Sequence, residues 1–538
     1  MLRICHSYSV YKRHICLTSN GNFKFFKVIR LIKEEIMKKI GLVVLSVVLL
    51  GACAAKPTNV EHAQAMSTAE WLDTNRVYHN VAIEPYRNTL IHDGILVGME
   101  KTTCNEVGKG AYFNRDKAFE LPYMKNRPTH LRKLKGIFGG TKQFVPTHVY
   151  SYSVDERVTV KEEYNLYTQK LPDMEKIRQQ VNHDLHLEDD DGRVKRRVCQ
   201  QIGGLKKGWN ALERVKTRVH KIVGDDPSYT HVILVAMGWN NDQEETIERI
   251  NAVMANLSSV AEKQHKLVQG KAFKPYVVAV SWPSAWYSDS NSYIKKKVGH
   301  IFSYYNKADD ADEVGLTAAN YLLNDVMLTL KDDLKNRDIK VGAIGHSFGA
   351  RIVTRAAFSR PLLPLVLETA DIPAPVVGSS VKPDFVIGLQ SAFSVNRFVE
   401  GHEINFFQDL IATGDGFPYE NFQDVTDNLI LAWSKGDSSV GFAVLASGAQ
   451  HAGGVRGFNR LNEAQNRHII SSTEWPSGQG NQLSVSELVR CDEIPSKGTV
   501  NMVNMSATVH DHNDVIDLDM GRFLWCVVVK KQPIKKHQ

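Results

Sequence analysis

The chain has 538 residues, room for two or more average domains or for one large domain with insertions. It is 43% apolar and 23% charged, the balance of a globular protein with a full core. The formal net charge of +7 sits at the amino terminus: residues 1–52 hold nine of the 66 Lys and Arg and two of the 59 Asp and Glu, which leaves 57 of each sign, so the basic balance does not signal a nucleic-acid partner.

In chain order, the first readable segment begins at Met37. Lys38 and Lys39 precede an apolar run, Ile40 to Leu50, closed by the small residues Gly51 and Ala52. That is the layout of a secretory signal peptide, and the run is too short for a stable transmembrane helix. Residues 1–36 fit no export pattern and are expected to precede the true start at Met37. The ending Leu50-Gly51-Ala52-Cys53 resembles a bacterial lipobox. The resemblance implies that residues 37–52 are removed and that Cys53 carries lipid and anchors the chain to a membrane. Ala54 is not the aspartate of an inner-membrane retention signal, which by the same resemblance implies an outer-membrane lipoprotein facing the periplasm. An ordinary signal peptide cut nearby, or an uncleaved anchor, is the blander alternative. Cys104, Cys199, Cys491 and Cys526 then remain, enough for two disulfides in three connectivities or for buried thiols. None lies in a CxxC pair or a His/Cys cluster, so no zinc site is expected.

Residues 53–90 read as a lipidated tether and entry segment. Residues 91–227 form an N-terminal α+β extension or cap. Within it HVYSYSVDERVTVKEEY (148–164) alternates like a hairpin with its turn near Asp155-Glu156, and the charged stretch 171–222 reads as helices. Glu188 to Gly192 is an acidic run best read as a solvated loop. The pattern changes after Pro227. HVILVAM (231–237), YVVAVSW (276–282), KVGAI (340–344), DFVIGLQ (384–390) and NLILAW (428–433) are continuous apolar runs, as in strands covered on both faces. Helical spacing lies between them over 242–265 and 315–335. Alternating strands and helices predict an α/β, doubly wound, mostly parallel sheet over 228–530. SSTEWPSGQGNQ (471–482) reads as a mobile loop, and the aromatic, basic stretch 286–306 as a lid, a substrate wall or a solvated helix.

One motif carries chemistry. Gly345-His346-Ser347-Phe348-Gly349 places a serine inside GxSxG. Alone that pattern is weak, with a chance occurrence of roughly 0.2 in such a chain. Here an apolar strand runs into it and the helix-compatible ARIVTRAAF runs out, the setting of a nucleophile elbow. The turn leaves no room for side chains two before and two after the serine, and Gly345 and Gly349 meet that need. A serine nucleophile requires a histidine base and an acid to orient it.

At these residues the chain resembles the α/β-hydrolase superfamily, over about 228–530. The run HVILVAMGWNN looks like the superfamily's oxyanion-loop strand, with Met237-Gly238 where His-Gly is usual. VAVSWPSAW (278–286) looks like the next strand in a bacterial subgroup of the superfamily. The resemblance implies oxyanion donors at the backbone N–H groups of Trp239 and Phe348, and the chain order serine, acid, histidine. Asp437, in the turn after NLILAW, is the expected acid, with Asp415 as rival. His512, in a His-x-Asp stretch before a terminal helix, is the expected base, with His510 and His451 as rivals. The implied activity is a membrane-anchored serine hydrolase cleaving a small-molecule or lipid ester through an acyl-enzyme on Ser347, with no metal or cofactor. A non-catalytic binding lipoprotein on the same scaffold, and an acyltransferase using the same triad, stay open.

Overall fold

The computed structural model describes residues 89–101, 144–165, 205–284, 307–359, 381–399, 428–437, 450–463, 469–475 and 500–529, with short interruptions and a few isolated residues between. The chain divides into two compact units, Met1–Glu61 and His62–Gln538. In the first, the described residues are Cys5–His6 paired antiparallel with Ile15–Cys16.

The second unit is built on a ten-stranded sheet. Its strands are β1 (Gly94–Lys101), β2 (Phe144–Val154), β3 (Val158–Asn165), β4 (His231–Ala236), β5 (Pro275–Ser281), β6 (Lys340–His346), β7 (Phe385–Leu389), β8 (Leu429–Trp433), β9 (Ile469–Glu474) and β10 (Val500–Asn504). The spatial order is β9-β10-β8-β7-β6-β4-β5-β1-β2-β3. Every neighbouring pair from β9 to β1 is parallel, while β1–β2 and β2–β3 are antiparallel. The helices are α1 (Leu205–Asp225), α2 (Gln243–Leu267), α3 (310–333), α4 (Phe348–Ala357), α5 (Val455–Glu463) and α6 (Leu518–Val528). Two stretches of α3, Gly315–Ala319 and Leu322–Leu328, are π-helical.

Strand alternation sorts the apolar side chains into two cores. Val232, Leu234, Ala236, Val341 and Ala343 face α1, α3 and α4 on one side. Ile233, Val235, Met237, Ile344 and Ile387 face α2 and α6 on the other. Because both faces are covered, the middle positions of β4 to β8 are apolar on both faces, which is why they read as unbroken runs, with polar residues such as His231, Ser281, Lys340 and His346 at the strand ends. The sheet is thus the middle layer of an α/β architecture, as the alternation of elements predicts.

The hairpin expected over 148–164 is β2 and β3 with its turn at 155–157. β1 pairs in parallel with β5, so strands from 91–227 continue the sheet of 228–530. Of the expected helices at 171–222, α1 is described and 171–204 lies outside the described residues. The mobile loop expected at 471–482 is corrected over its first part. Ile469–Glu474 is edge strand β9, and Trp475 is buried against the Phe523 ring. A Ser/Thr-rich edge strand needs one covered face and one paired side, so it lacks the continuous apolar run of its neighbours.

From β4 the chain crosses to β5 on one side, then back past β4 to β6 on the other. The strand order therefore reverses at the carboxyl ends of β4 and β6, where open α/β sheets form a crevice.

Candidate active site

Ser347 stands at that crevice, between the end of β6 and the first residue of α4. Its backbone has φ 56° and ψ −117°, a conformation that L-residues with side chains rarely adopt. Such a residue costs on the order of 1–3 kcal/mol and persists only where its surroundings over-determine it. They do so here. Ser347 N–H donates to the Leu389 carbonyl at 2.9 Å, and the Ser347 carbonyl accepts from Ala392 N–H at 3.2 Å. A Cβ on Gly345 would lie 2.3 Å from the Gly349 carbonyl oxygen, and one on Gly349 would lie 2.0 Å from the Ala236 carbonyl oxygen. Both contacts are with backbone that cannot step aside, so the two glycines are a steric requirement of the turn.

The loop after β4 lies against this serine. A Cβ on Gly238 would fall 2.6 Å from Ser347 Cβ and 3.1 Å from Ser347 Oγ. The loop is tied to the end of β5. Trp282 Nε1–H donates to the Met237 carbonyl at 3.1 Å. Ser284 Oγ accepts from Asn241 N–H at 3.0 Å and donates to the Asn241 carbonyl at 2.7 Å. Asn241 Nδ2 donates to the Gly238 carbonyl at 3.0 Å. Sequence reasoning noted Trp-Pro-Ser as a family-like run without giving it this role. Trp239 follows Gly238, and Phe348 opens α4, at the positive end of the helix dipole. Met237 is fully buried in the core facing α2.

His512 Nδ1 and Asp437 Oδ2 are 2.7 Å apart. The Asp437 side chain has no exposure and that of His512 has 14%. The two come from the turn after β8 and the segment after β10, and those are stitched together. Ser434 Oγ donates to the Val509 carbonyl at 2.6 Å, and Asp514 Oδ2 accepts from His510 and Asp511 N–H at 2.7 Å each. Arg249 of α2 donates to Asn513 Oδ1 at 2.6 Å. A carboxylate on Nδ1 leaves the Nε2 nitrogen to take a proton from outside the pair. Among the described residues no hydrogen bond joins Ser347 Oγ to His512. The His512 ring instead packs on His346, with 4.6 Å between centroids, and His346 Nε2 lies 3.0 Å from the His512 carbonyl oxygen. Burial holds the His346 imidazole well below the usual histidine range, and positive charge at His512 and Arg249 acts the same way.

The rival histidines differ. His510 is exposed. His451 is fully buried, and burial, with Arg351 and Arg397 adding to it, pushes its pKa down to about 3. Asp415 lies outside the described residues, as do Cys53, the acidic run at 188–192 and the stretch 286–306.

Behind α4, Asp312 of α3 is shared by three guanidinium groups. Arg397 holds it with two bonds of 2.9 and 3.0 Å, Arg351 with one of 2.6 Å and Arg355 with one of 3.3 Å. All four side chains are at most 4% exposed. Burial alone would raise the Asp312 carboxyl; the three arginines outweigh it and hold it well below the ordinary carboxylate range. Cys491 and Cys526 form a disulfide that ties 491 to α6; Cys104 and Cys199 lie outside the described residues. Among the described residues no group of His, Cys, Asp and Glu could hold a metal ion, and no helix is long and apolar enough to cross a membrane. No family model and no curated protein matches the chain.

Proposed function

We propose that the chain is a serine hydrolase of the α/β-hydrolase superfamily that cleaves a carboxylic ester through an acyl-enzyme on Ser347. The observation that carries this is the strained, glycine-flanked Ser347 at the reversal of strand order, with a His512–Asp437 pair whose histidine packs on His346, the residue before the serine. In this reading Ser347 Oγ attacks the ester carbonyl carbon while its proton passes to His512 Nε2. Asp437 on Nδ1 holds the tautomer that makes Nε2 the acceptor and stabilises the imidazolium that forms. The tetrahedral oxyanion is taken by the backbone N–H groups of Trp239 and Phe348; each such donor is worth about 3–4 kcal/mol of barrier. His512 then returns the proton to the leaving alkoxide. Water, deprotonated by the same nitrogen, attacks the acyl carbon; the acyl–Oγ bond breaks, His512 returns the proton to Ser347 Oγ, and the acid leaves. Catalytic hydrogen bonds often tighten only with substrate in place, and in this reading the bond from Ser347 Oγ to His512 forms on binding.

We further place the protein in the cell envelope, anchored through lipid on Cys53, in the outer membrane facing the periplasm. The Cys491–Cys526 disulfide supports an oxidising compartment. The substrate class is a small-molecule or lipid ester, and the chemistry calls for no cofactor. Two features favour a second reading, a binding lipoprotein on the same scaffold: Met237 in the oxyanion loop and a Ser347 not bonded to its base. An acyltransferase would use the same groups with an alcohol or amine in place of water. Labelling by a fluorophosphonate separates the catalytic readings from the binding one. Ester turnover, with and without added alcohol, then separates hydrolysis from transfer.

A further inference from the structure

Besides the Arg249 bond to Asn513 Oδ1, three contacts hold the base segment near its histidine. Ser434 holds the Val509 carbonyl, Asp514 holds the amides of His510 and Asp511, and the carbonyl of His512 itself is met by His346 Nε2 at 3.0 Å. The first comes from the turn that carries Asp437, and the second lies within the segment. The third comes from the residue next to the nucleophile in the chain. A carbonyl oxygen can only accept, so His346 Nε2 must carry the proton, and Nδ1 then bears a lone pair. His346 Nδ1 is buried and without a partner among the described residues. A charged His346 would bury a second N–H with no acceptor, so the ring stays neutral, an uncharged wall for the His512 ring at 4.6 Å.

We propose that His346 is a positioning residue for the base: its Nε2–H tethers the His512 backbone to the nucleophile elbow and sets the distance across which the proton moves. The inference rests on the proposed serine chemistry. An error of about 1 Å in that placement is worth on the order of a hundredfold in rate, without equal effect on substrate binding.

The test compares His346→Phe, which keeps a ring and removes the donor, with His346→Gln, whose amide Nε2 can reach the same carbonyl. Fluorophosphonate labelling rate and ester kcat and KM are measured on proteins checked by thermal melting. The expected result is a fall of about 10- to 100-fold in kcat and labelling rate for His346→Phe, with KM within about twofold, and recovery to within about fivefold in His346→Gln. A folded His346→Phe as active as wild type, or a folded His346→Gln as inactive as His346→Phe, overturns the proposal. Should His346→Phe not fold, the tautomer decides. The side-chain ¹⁵N spectrum of the wild-type protein must show a neutral imidazole protonated at Nε2 that is absent from His346→Gln, and an Nδ1–H tautomer overturns the tether. A wild type that is not labelled at all removes the serine chemistry and this inference with it. A labelled wild type with an unaffected His346→Phe removes the inference alone.

Discussion

Replacing Asp312 by Asn keeps the size of the side chain and takes away the charge that three buried arginines share. The carboxylate accepts four hydrogen bonds, from Arg351, from Arg355 and twice from Arg397, at 2.6–3.3 Å. An asparagine offers one oxygen where there were two, and turns an N–H toward guanidinium donors. Breaking a buried ion pair from one side costs about 3–5 kcal/mol, because the partners stay buried and lose their counter-charge. Against a total stability of about 5–15 kcal/mol that is a large fraction. A unit of this size, His62–Gln538, shifts by only about 1 °C per kcal/mol, so the melting midpoint should fall by roughly 3–5 °C. The pH dependence follows the same pairing. Asp312 has its carboxyl lowered in the folded state, so its contribution is complete above the unfolded carboxylate range and is lost as pH falls through the lower folded value. The gap between wild type and Asp312→Asn should therefore be constant near neutral pH and shrink in acid below about pH 4. Urea titrations at pH 7 and at pH 3 measure both. A loss under about 1 kcal/mol at pH 7, or a gap that widens in acid, would refute the view that this carboxylate neutralises the cluster behind the serine's helix.

Three further outcomes can be checked together. Gly349→Ala sets a methyl 2.0 Å from the Ala236 carbonyl oxygen, and it should cost at least about 3 kcal/mol in urea and abolish labelling of Ser347. Asp437→Asn keeps the bulk of a side chain with no exposure but favours the wrong His512 tautomer; kcat for ester hydrolysis should fall by about 10⁴-fold with the melting midpoint nearly kept, and a fall under tenfold would remove Asp437 as the acid. The Cys491–Cys526 bridge closes a sequence separation of 35, which in the chain-entropy picture is worth about 4 kcal/mol, so Cys491→Ser with Cys526→Ser should lower the melting midpoint as much as dithiothreitol lowers that of wild type.

The parts of the fold legible in the sequence are those where one constraint acts on consecutive residues. The runs at 231–237, 276–282, 340–344, 384–390 and 428–433 match β4 to β8 within a residue or two at each end, because the middle of a strand between two helix layers is buried on both faces. Gly345 and Gly349 were legible because the turn leaves no space for any other residue. The meeting of Asp437 with His512 is reached only through the family resemblance, from its chain order, the turn after NLILAW and the His-x-Asp stretch, since local pattern does not encode a pairing across 75 residues. Other features left no local signal. Edge strand β9 reads as a polar loop, the tethers of Trp282 and Ser284 to the loop after β4 run across a strand boundary, and Asp312 meets its arginines 39 to 85 residues away. Gln390, with φ 42° at the end of β7, carries a strained backbone that its own residue type does not announce.

The central claim is that Ser347 is an activated nucleophile. The direct measurement is covalent labelling of the purified protein with a fluorophosphonate, for wild type, Ser347→Ala and His512→Ala, each checked for folding. The account predicts strong labelling of wild type, none of Ser347→Ala, and a loss of at least about 10³-fold in rate for His512→Ala. A well-folded wild type that is not labelled, or labelling that survives in Ser347→Ala, would contradict it and leave Ser347 as a serine held in a tight turn.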